Sequence, residues 1–535
     1  MGEGPAVRRR TVLAAAALPL AGCSPRREVP GGFAGADPAR GHLLRTATAV
    51  SGTRAVRRTQ VVIAGGGIAG LAAARALRQR GVEDFVLLEL EDQPGGNSRP
   101  GQLGGRPCPL GAHYLPLPGA DAVEVQDLLE ELGLRRRVAG RWTYDERHLC
   151  HSPQERLYFQ GEWQDGLLPL QGVAEATLDQ YRRFARLVAQ AGRFALPAAR
   201  APQQADLDAI TFAEWLQRQR LDDPHLRWYL DYCCRDDYGA GPSGVSAWAG
   251  LHYFGSRHGF HAPGEAEDAS PPLTWAEGNG WLVRRLAQPL GDRVRAARAV
   301  VQVREERHGV SVEAIDARSG EGEWWEAAHV VIALPAFIAS RVVEAVPDFL
   351  RQAARRTRYA PWTVANLLLR EPLDDRPGAA PAWDNVIHGG SGLGYVDASH
   401  QRLDPRPGPT VLSWYCAPGE AARGELLQAP WTLWRDRAIA ELAGAHPDLA
   451  DKLERVEIAR YGHAMAIPVP GTRERLADLP LHGALVSYSH ADWAGYSVFE
   501  EAFTFGHLAG LHAAGGRLSP ASALRSRPPS PARRA

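Results

Sequence analysis

Lysine is all but missing from this chain of 535 residues: Lys452 stands alone, and arginine supplies the rest of a basic complement of 61 that equals the 61 acidic residues. Zero net charge with scattered arginines offers no electrostatic footprint for nucleic acid. Methionine occurs twice and cysteine six times, at Cys23, Cys108, Cys150, Cys233, Cys234 and Cys416. None has metal-ligand spacing, and Cys233 and Cys234 are neighbours in a predicted helix. The thiols therefore read as core residues rather than as a disulfide framework, a zinc site or a redox pair. Gly-x-Ser-x-Gly, His-Glu-x-x-His and Cys-x-x-Cys patterns are also absent, which removes the commonest signatures of hydrolases, metalloproteases and thiol oxidoreductases. The apolar run from Thr11 to Gly22 contains Pro19 and falls short of the roughly twenty residues that a membrane span needs.

That short run is preceded by Arg8, Arg9 and Arg10 and followed by Cys23, the layout of a secretory signal. Arg9 to Leu13 resembles the twin-arginine (Tat) export signal, and Leu20, Ala21, Gly22 and Cys23 resemble the bacterial lipobox. The resemblance implies export in the folded state by the Tat machinery. It also implies lipidation of Cys23 and attachment to the periplasmic or outer-facing side of a bacterial membrane. Residues 24–58, rich in Gly, Ala, Pro and Arg, read as a tether, and the Pro-Ser-Arg tail at 516–535 reads as disordered.

Between these ends, helical and strand patterns alternate. Leu178, Tyr181, Phe184, Leu187 and Val188 recur at helical spacing, and Thr211 with Glu214 forms a capping box, so residues 116–272 are predicted mainly helical. Two strands are predicted around a turn at His308 and Gly309, followed by a buried strand ending at Pro335.

The most informative stretch begins with the apolar strand Gln60–Ala64, which runs into Gly65, Gly67 and Gly70 and an alanine-rich helix. In a dinucleotide fold, the first glycine permits the tight turn and the second lets the backbone approach a pyrophosphate. The third lets the helix pack against the strand. Ile68 and Ala69 open the helix whose free N–H groups would hold the phosphates. A second strand, Asp84–Leu88, ends in Glu89, placed to accept hydrogen bonds from ribose hydroxyls.

Gly95 and Gly96 follow Glu89 with five residues between, and this extended signature resembles the superfamily of flavin-containing amine oxidases, phytoene desaturases and protoporphyrinogen oxidases. Further segments are similar to the same family. The backbone near Gly111 and Ala112 corresponds to a flavin-approaching segment, and Val300 to a main-chain contact with adenine. Asp492 corresponds to an acid on the ribityl or pyrophosphate group, with Phe499 and Glu500 at a helix start under the isoalloxazine. The implied fold is α/β: a Rossmann-like FAD-binding domain in three pieces (59–115, 273–336 and 456–515), with an α+β substrate domain inserted as 116–272 and 337–455. Four positions depart from the family pattern. Asn97 replaces a phosphate-facing arginine, Glu501 replaces a glycine, and Trp362 and Thr363 stand where many amine oxidases carry a lysine.

The resemblance implies an FAD-dependent oxidoreductase that oxidises a C–N bond, in an amine or polyamine, by hydride transfer to flavin N5. Oxygen or a membrane carrier would then take the electrons. Two alternatives stay open: oxidation of an apolar substrate as in desaturases and protoporphyrinogen oxidases, and an inactive flavin-binding module at the membrane. His113 either orients a reacting group or is structural. Trp414, Tyr415, Trp493 and Tyr496 either line a cationic-amine cage or pack the core. Asp236 and Asp237 either hold distal ammonium groups or serve local capping and pairing with Arg235.

Overall fold

The computed structural model describes residues 28–46, 56–264, 271–402 and 408–515. The export and lipid-attachment motifs, Cys23 included, and the tail at 516–535 lie outside the described residues. Two sheets organise the rest. The first is built around the strand Val56–Ala64, whose last four residues are completely buried. Burial on both faces is what a parallel sheet requires. This strand pairs in parallel with Phe85–Leu88 and with Gly322–Ile332. Val294–Arg295 extends the sheet beyond Phe85–Leu88, and Val486–Tyr488 lies parallel beside Val330–Ile332. The hairpin Arg298–Glu306 and Gly309–Asp316 joins in antiparallel fashion. The expected turn at His308 and Gly309 is present. With the helix Ile68–Gln79 connecting its first two strands, this seven-stranded sheet forms a Rossmann-like domain.

The second sheet has eight strands, in the order Gly31–Ala34, Leu453–Ile467, Arg358–Leu369, Thr410–Cys416, Tyr395–Asp397, Asp384–Ile387, Glu155–Phe159 and Glu162–Asp165. Helices Glu175–Gln190, Phe212–Arg218, Pro224–Tyr238 and Ala247–Tyr253 share one apolar core with its inner face, so an α+β domain sits on the Rossmann-like one. The five described cysteines are free and buried, as core thiols should be. Thr211 accepts the Glu214 N–H at 3.1 Å and so caps its helix.

Three stretches fold differently from their sequence reading. The tether contributes strand Gly31–Ala34, parallel to Val456–Ala459, and helix Pro38–Thr46. Its glycines lack the apolar alternation that marks a strand, and only a partner 425 residues away, at register Gly31–Val456, makes them one. The region 116–272 is not helical throughout, since it includes hairpins at 135–144 and 155–165. The domain seams also move. Helix Val123–Glu131 buries Val125, Leu128 and Leu129 with Leu71 and Phe503 of the Rossmann-like core, which extends that domain's first piece to about residue 149. Helices Ala336–Val342 and Asp348–Arg356 join the core of the same sheet, whereas strand Leu453–Ile467 belongs to the other. An amphipathic helix or apolar strand has the same pattern on either domain, and its packing partner decides the assignment.

Candidate functional site

The dinucleotide turn is shaped by what its glycines touch. Gly65 has φ +104°, and a Cβ there would lie 2.4 Å from the Ala333 carbonyl oxygen. At Gly70 a Cβ would lie 1.9 Å from the Gly65 oxygen, so the helix abuts the turn. Gly67 is different: a Cβ there would meet no atom within 4 Å, which leaves open space in front of the helix N-terminus. Glu89, 7 % exposed, points its carboxylate into this turn. Its Oε2 accepts the Gly66 N–H at 2.8 Å and its Oε1 the Glu91 N–H at 2.9 Å. Each oxygen keeps a further lone pair for a ribose hydroxyl. Burial raises its pKa above the ordinary value, against those two backbone bonds.

The next loop closes over the turn. Gly95 donates its N–H to the Gly66 carbonyl at 2.8 Å, and Gly96 approaches Gly67. Asn97 faces the other domain, donating its amide to the Ala464 carbonyl at 2.6 Å, while its own carbonyl accepts the Ala112 N–H at 2.8 Å. A cation lies two residues on. Arg99 is 6 % exposed, 3.8 Å from Glu91, and its Nε has no hydrogen-bond partner. Sequence reading centred on Asn97 passed over it, although it stands in the same Gly-Gly-Asn-Ser-Arg run.

Asp492 sits at 1 % exposure in the turn before the last helix. Its Oδ2 accepts the Tyr359 hydroxyl at 2.6 Å and the Ala336 N–H at 2.8 Å. Its Oδ1 lies 3.0 Å from His490 Nδ1, and the same nitrogen lies 3.1 Å from the Asp492 amide nitrogen. Burial pushes the carboxyl up, and His490, Tyr359 and the Ala336 amide together outweigh it, holding the pKa below the ordinary value. Phe499 and Glu500 begin the final helix, Phe499–Ala513, which lies close against Ile68–Gln79. A Cβ on Gly506 would come 2.1 Å from the Ala69 oxygen, and one on Gly510 2.4 Å from the Ala73 oxygen. Val300 is buried beside a bulge in its strand, on the seven-stranded sheet. The open space at Gly67, the inward carboxylate of Glu89 and the unpartnered Arg99 Nε together fit a bound dinucleotide.

Beyond Gly111 and Ala112 the chain meets an aromatic cluster. His113 packs against Tyr415 (ring centroids 4.4 Å apart), Tyr114 (5.0 Å) and Trp383 (5.4 Å). Tyr415 donates its hydroxyl to the Gly111 carbonyl at 3.1 Å. The loop is fixed from behind by Asn279, which donates its backbone N–H to the Ala112 oxygen and its side-chain amide to the Tyr114 oxygen. His113, Asp236 and Asp384 are half-buried, and burial dominates their ionisation. The His113 pKa is held down to about 3. Asp236 is pushed up to about 7 by burial and the neighbouring Asp237 charge, and Asp384 well above its ordinary value by burial and the charges of Asp236 and Glu155. Among the described residues, nothing hydrogen-bonds the Asp236 carboxylate.

Of the four aromatic candidates for a cage, only Tyr415 meets His113. Trp414, its neighbour on the strand, points to the opposite face, where its Nε1 donates to Glu441 at 3.0 Å. Trp493 lies in the Rossmann-like core beside Phe349 and Tyr488. Tyr496 is fully buried, donating to Glu501 at 2.6 Å, and Glu501 also accepts the Ala198 N–H. Trp383 and Tyr114 take the vacant places. Asp237 pairs with Arg257 at 3.1 Å, and Arg235 turns to Asp231 at 2.8 Å, so neither arrangement follows the local pairing expected of Arg235. Trp362 and Thr363 are buried in their strand, and Lys452 is held by Asp374 and Asp448 on the far core.

The family model for flavin-containing amine oxidoreductases matches residues 68–484. A Mycobacterium tuberculosis protein named as a candidate flavin-containing monoamine oxidase is 29% identical over 289 residues, which cover 53% of this chain and 59% of the relative. Coproporphyrinogen III oxidase of Mycobacterium bovis is 29% identical over 313 residues, 57% of this chain and 65% of that one. The chain thus spans under two thirds of the length of either curated relative. Among solved structures, putrescine oxidase bound to putrescine aligns with TM-score 0.65 at 20% identity, covering 86% of this chain and 99% of that one. That likeness is one of fold.

Proposed function

This chain belongs to the family of flavin-containing amine oxidoreductases, with FAD as cofactor, and from that premise we propose that it is an FAD-dependent oxidoreductase acting on the C–N bond of a cationic amine. The carrying observation is the aromatic cluster beyond Gly111, formed by His113, Tyr114, Trp383 and Tyr415 with the acids Asp236 and Asp384 in electrostatic reach of its tyrosines, which we read as the substrate chamber. Asp236 raises the pKa of Asp384, and the charges of Arg257 and Arg235 only partly offset the burial of Asp236, so the pair gains from a further cation. A bound ammonium supplies it, and the aromatic faces attract it further by about 1 kcal/mol each.

We assign the dinucleotide to the cradle of Gly65, Gly67, Gly70, Glu89 and Arg99, which would hold it, with Asp492 available to its ribityl or pyrophosphate group. When bound, FAD supplies hydride acceptance at N5. The protein's own part is to place and deprotonate the amine. An ammonium must release a proton before its α-carbon can give up hydride, and the Asp236 carboxylate, titrating near neutrality, accepts it. His113, kept neutral by burial, adds no repelling charge. The aromatic walls exclude water. Anaerobic mixing of the holoprotein with putrescine, spermidine and aromatic amines should bleach the oxidised flavin band. No bleaching by any amine overturns the proposal.

One observation favours a second reading: Trp362 and Thr363 occupy the strand position expected of a lysine, and a coproporphyrinogen oxidase is among the relatives. Buried carboxylates repel a carboxylate-bearing tetrapyrrole, which sets the amine first. Bleaching by a porphyrinogen and not by amines reverses the order.

We further propose that the protein is exported folded and anchored through Cys23. This rests on the paired arginines and the Leu-Ala-Gly-Cys run. Cys23→Ala should release the protein from the membrane fraction, and retention there contradicts the anchor.

A further inference from the structure

Residues 135–144, Arg-Arg-Arg-Val-Ala-Gly-Arg-Trp-Thr-Tyr, form a two-stranded hairpin that pairs with no other strand. The register Val138–Arg141 leaves Ala139 and Gly140 as a two-residue turn, with φ of 47° and 81°. Positive φ at both positions is the turn whose twist matches the flanking strands, so the hairpin is locally well specified. Its base is fastened: Arg135 is buried, paired with Glu130 at 2.9 Å and stacked 3.8 Å from the Trp142 ring centroid. Past that fastening, every residue from Arg136 to Trp142 is exposed.

The tip therefore combines three properties. It is basic, with Arg136, Arg137 and Arg141 and no acidic residue. Its charge is not neutralised, because none of Arg136, Arg137 and Arg141 makes an ion pair among the described residues; Arg137 donates to the Gly140 carbonyl and lies 5.9 Å from the Trp142 ring centroid. It is also apolar: Val138 is 47 % and Trp142 45 % exposed, two of the few large apolar side chains left in water. The chain as a whole is neutral, so this is a local excess rather than a general basicity. A projecting hairpin offers no concavity for a small anion. Its form suits a flat, negatively charged surface with an apolar layer beneath.

We propose that this hairpin docks tip-first on an anionic phospholipid bilayer, with the three guanidiniums at headgroup phosphates and Trp142 and Val138, one on each face of the ribbon, in the interfacial layer. Tryptophan partitions to that depth because its ring is apolar and its N–H still reaches water or headgroups. The contact is separate from any acyl chain on Cys23, and it holds whatever the substrate of the enzyme.

The test uses full-length holoprotein carrying Cys23→Ala, so that no acyl chain contributes, in flotation with two sets of vesicles. Binding is expected to mixed phosphatidylcholine–phosphatidylglycerol vesicles and not to phosphatidylcholine alone, and it should weaken as salt rises. Replacing Arg136, Arg137 and Arg141 together by Gln should weaken it roughly a hundredfold, and Trp142→Ala roughly tenfold, with flavin content unchanged in both. Should the triple variant lose flavin, Arg141→Gln alone is expected to weaken binding several-fold. Absence of vesicle binding, equal binding to neutral vesicles, or binding unaltered by these substitutions overturns the proposal. So does hairpin-dependent capture of single-stranded RNA in place of vesicles.

Discussion

The hydroxyl of Tyr359 donates to the carboxylate of Asp492 at 2.6 Å, and this buried bond joins the two domains. Tyr359 lies on strand Arg358–Leu369 of the eight-stranded sheet, and Asp492 precedes the last helix of the Rossmann-like domain. Tyr359→Phe removes one of two donors to a buried charged oxygen, a loss of about 1.5–3 kcal/mol. Chemical denaturation should register that loss, and flavin retained per chain after gel filtration should fall with it.

Gly67 and Gly70 separate binding from folding. Open space in front of Gly67 accommodates a valine side chain, so Gly67→Val should keep the native circular dichroism and lose FAD affinity at least tenfold by flavin titration. Gly70→Val drives its side chain into the Gly65 carbonyl and should lower stability by about 1–3 kcal/mol or more. Equal behaviour of the two variants would contradict the assignment of the space before Gly67 to the cofactor.

Gly506 and Gly510 let the last helix touch the backbone of the dinucleotide helix. Gly506→Leu has no flexible neighbour to displace and should cost about 1–3 kcal/mol or more in unfolding free energy. Because the displaced helix is the one that opens at Gly67, flavin should dissociate faster from the same variant.

Asp236→Asn should simplify the pH dependence of substrate binding. With its carboxyl titrating near 7, the empty chamber gains negative charge as pH rises through neutrality, so affinity for a cationic amine increases over that interval. The asparagine variant should bind more weakly above neutrality and lose that limb of the KM profile. The profile of kcat/KM against pH measures both effects.

Three histidines make the fold sensitive to acid. His329 donates to or accepts from Ser487 at 3.0 Å, Ser487 touches His512 at 3.3 Å, and the His512 and His482 rings stack 5.2 Å apart. Burial first, and the neighbouring rings second, hold His329 and His482 down to about 4. Their folded pKa lies below the unfolded value near 6.5, so the neutral forms favour the native state. The associated stability is complete above about 6.5 and is lost as pH falls from there towards 4. Denaturation midpoints at pH 7.5 and 5 should differ in that sense, and His482→Gln should narrow the difference.

The dinucleotide turn was legible because its determinants are local: an apolar strand, a glycine turn and an alanine-rich helix stand within twenty residues. The chamber was half legible. Tyr415 could be picked from an aromatic pair, but which of Trp414 and Tyr415 faces inward depends on strand register, which no short window contains. Trp383, Asp384 and Asn279 reach the site through long-range pairing, so their patterns carry no mark of it, whereas Arg99 stood in the glycine run itself and was passed over in favour of Asn97. Gly506 and Gly510 did offer a signal, their spacing of one helical turn, whose meaning emerges only against Ala69 and Ala73. The seams between domains were misplaced for a related reason: burial patterns say that an element is covered, not by what.

The contact between the first and last helices has a bearing on biosynthesis. Residues 69 and 73 leave the ribosome more than four hundred residues before their partners Gly506 and Gly510. A nascent chain thus displays half of its nucleotide cleft throughout elongation, with an alanine-lined groove bare until the final helix arrives. Emergence of Gly506 and Gly510, rather than of the glycine-rich turn, is the moment at which flavin can be captured for good, and a message that stops before the codon of Phe499 would yield a colourless protein.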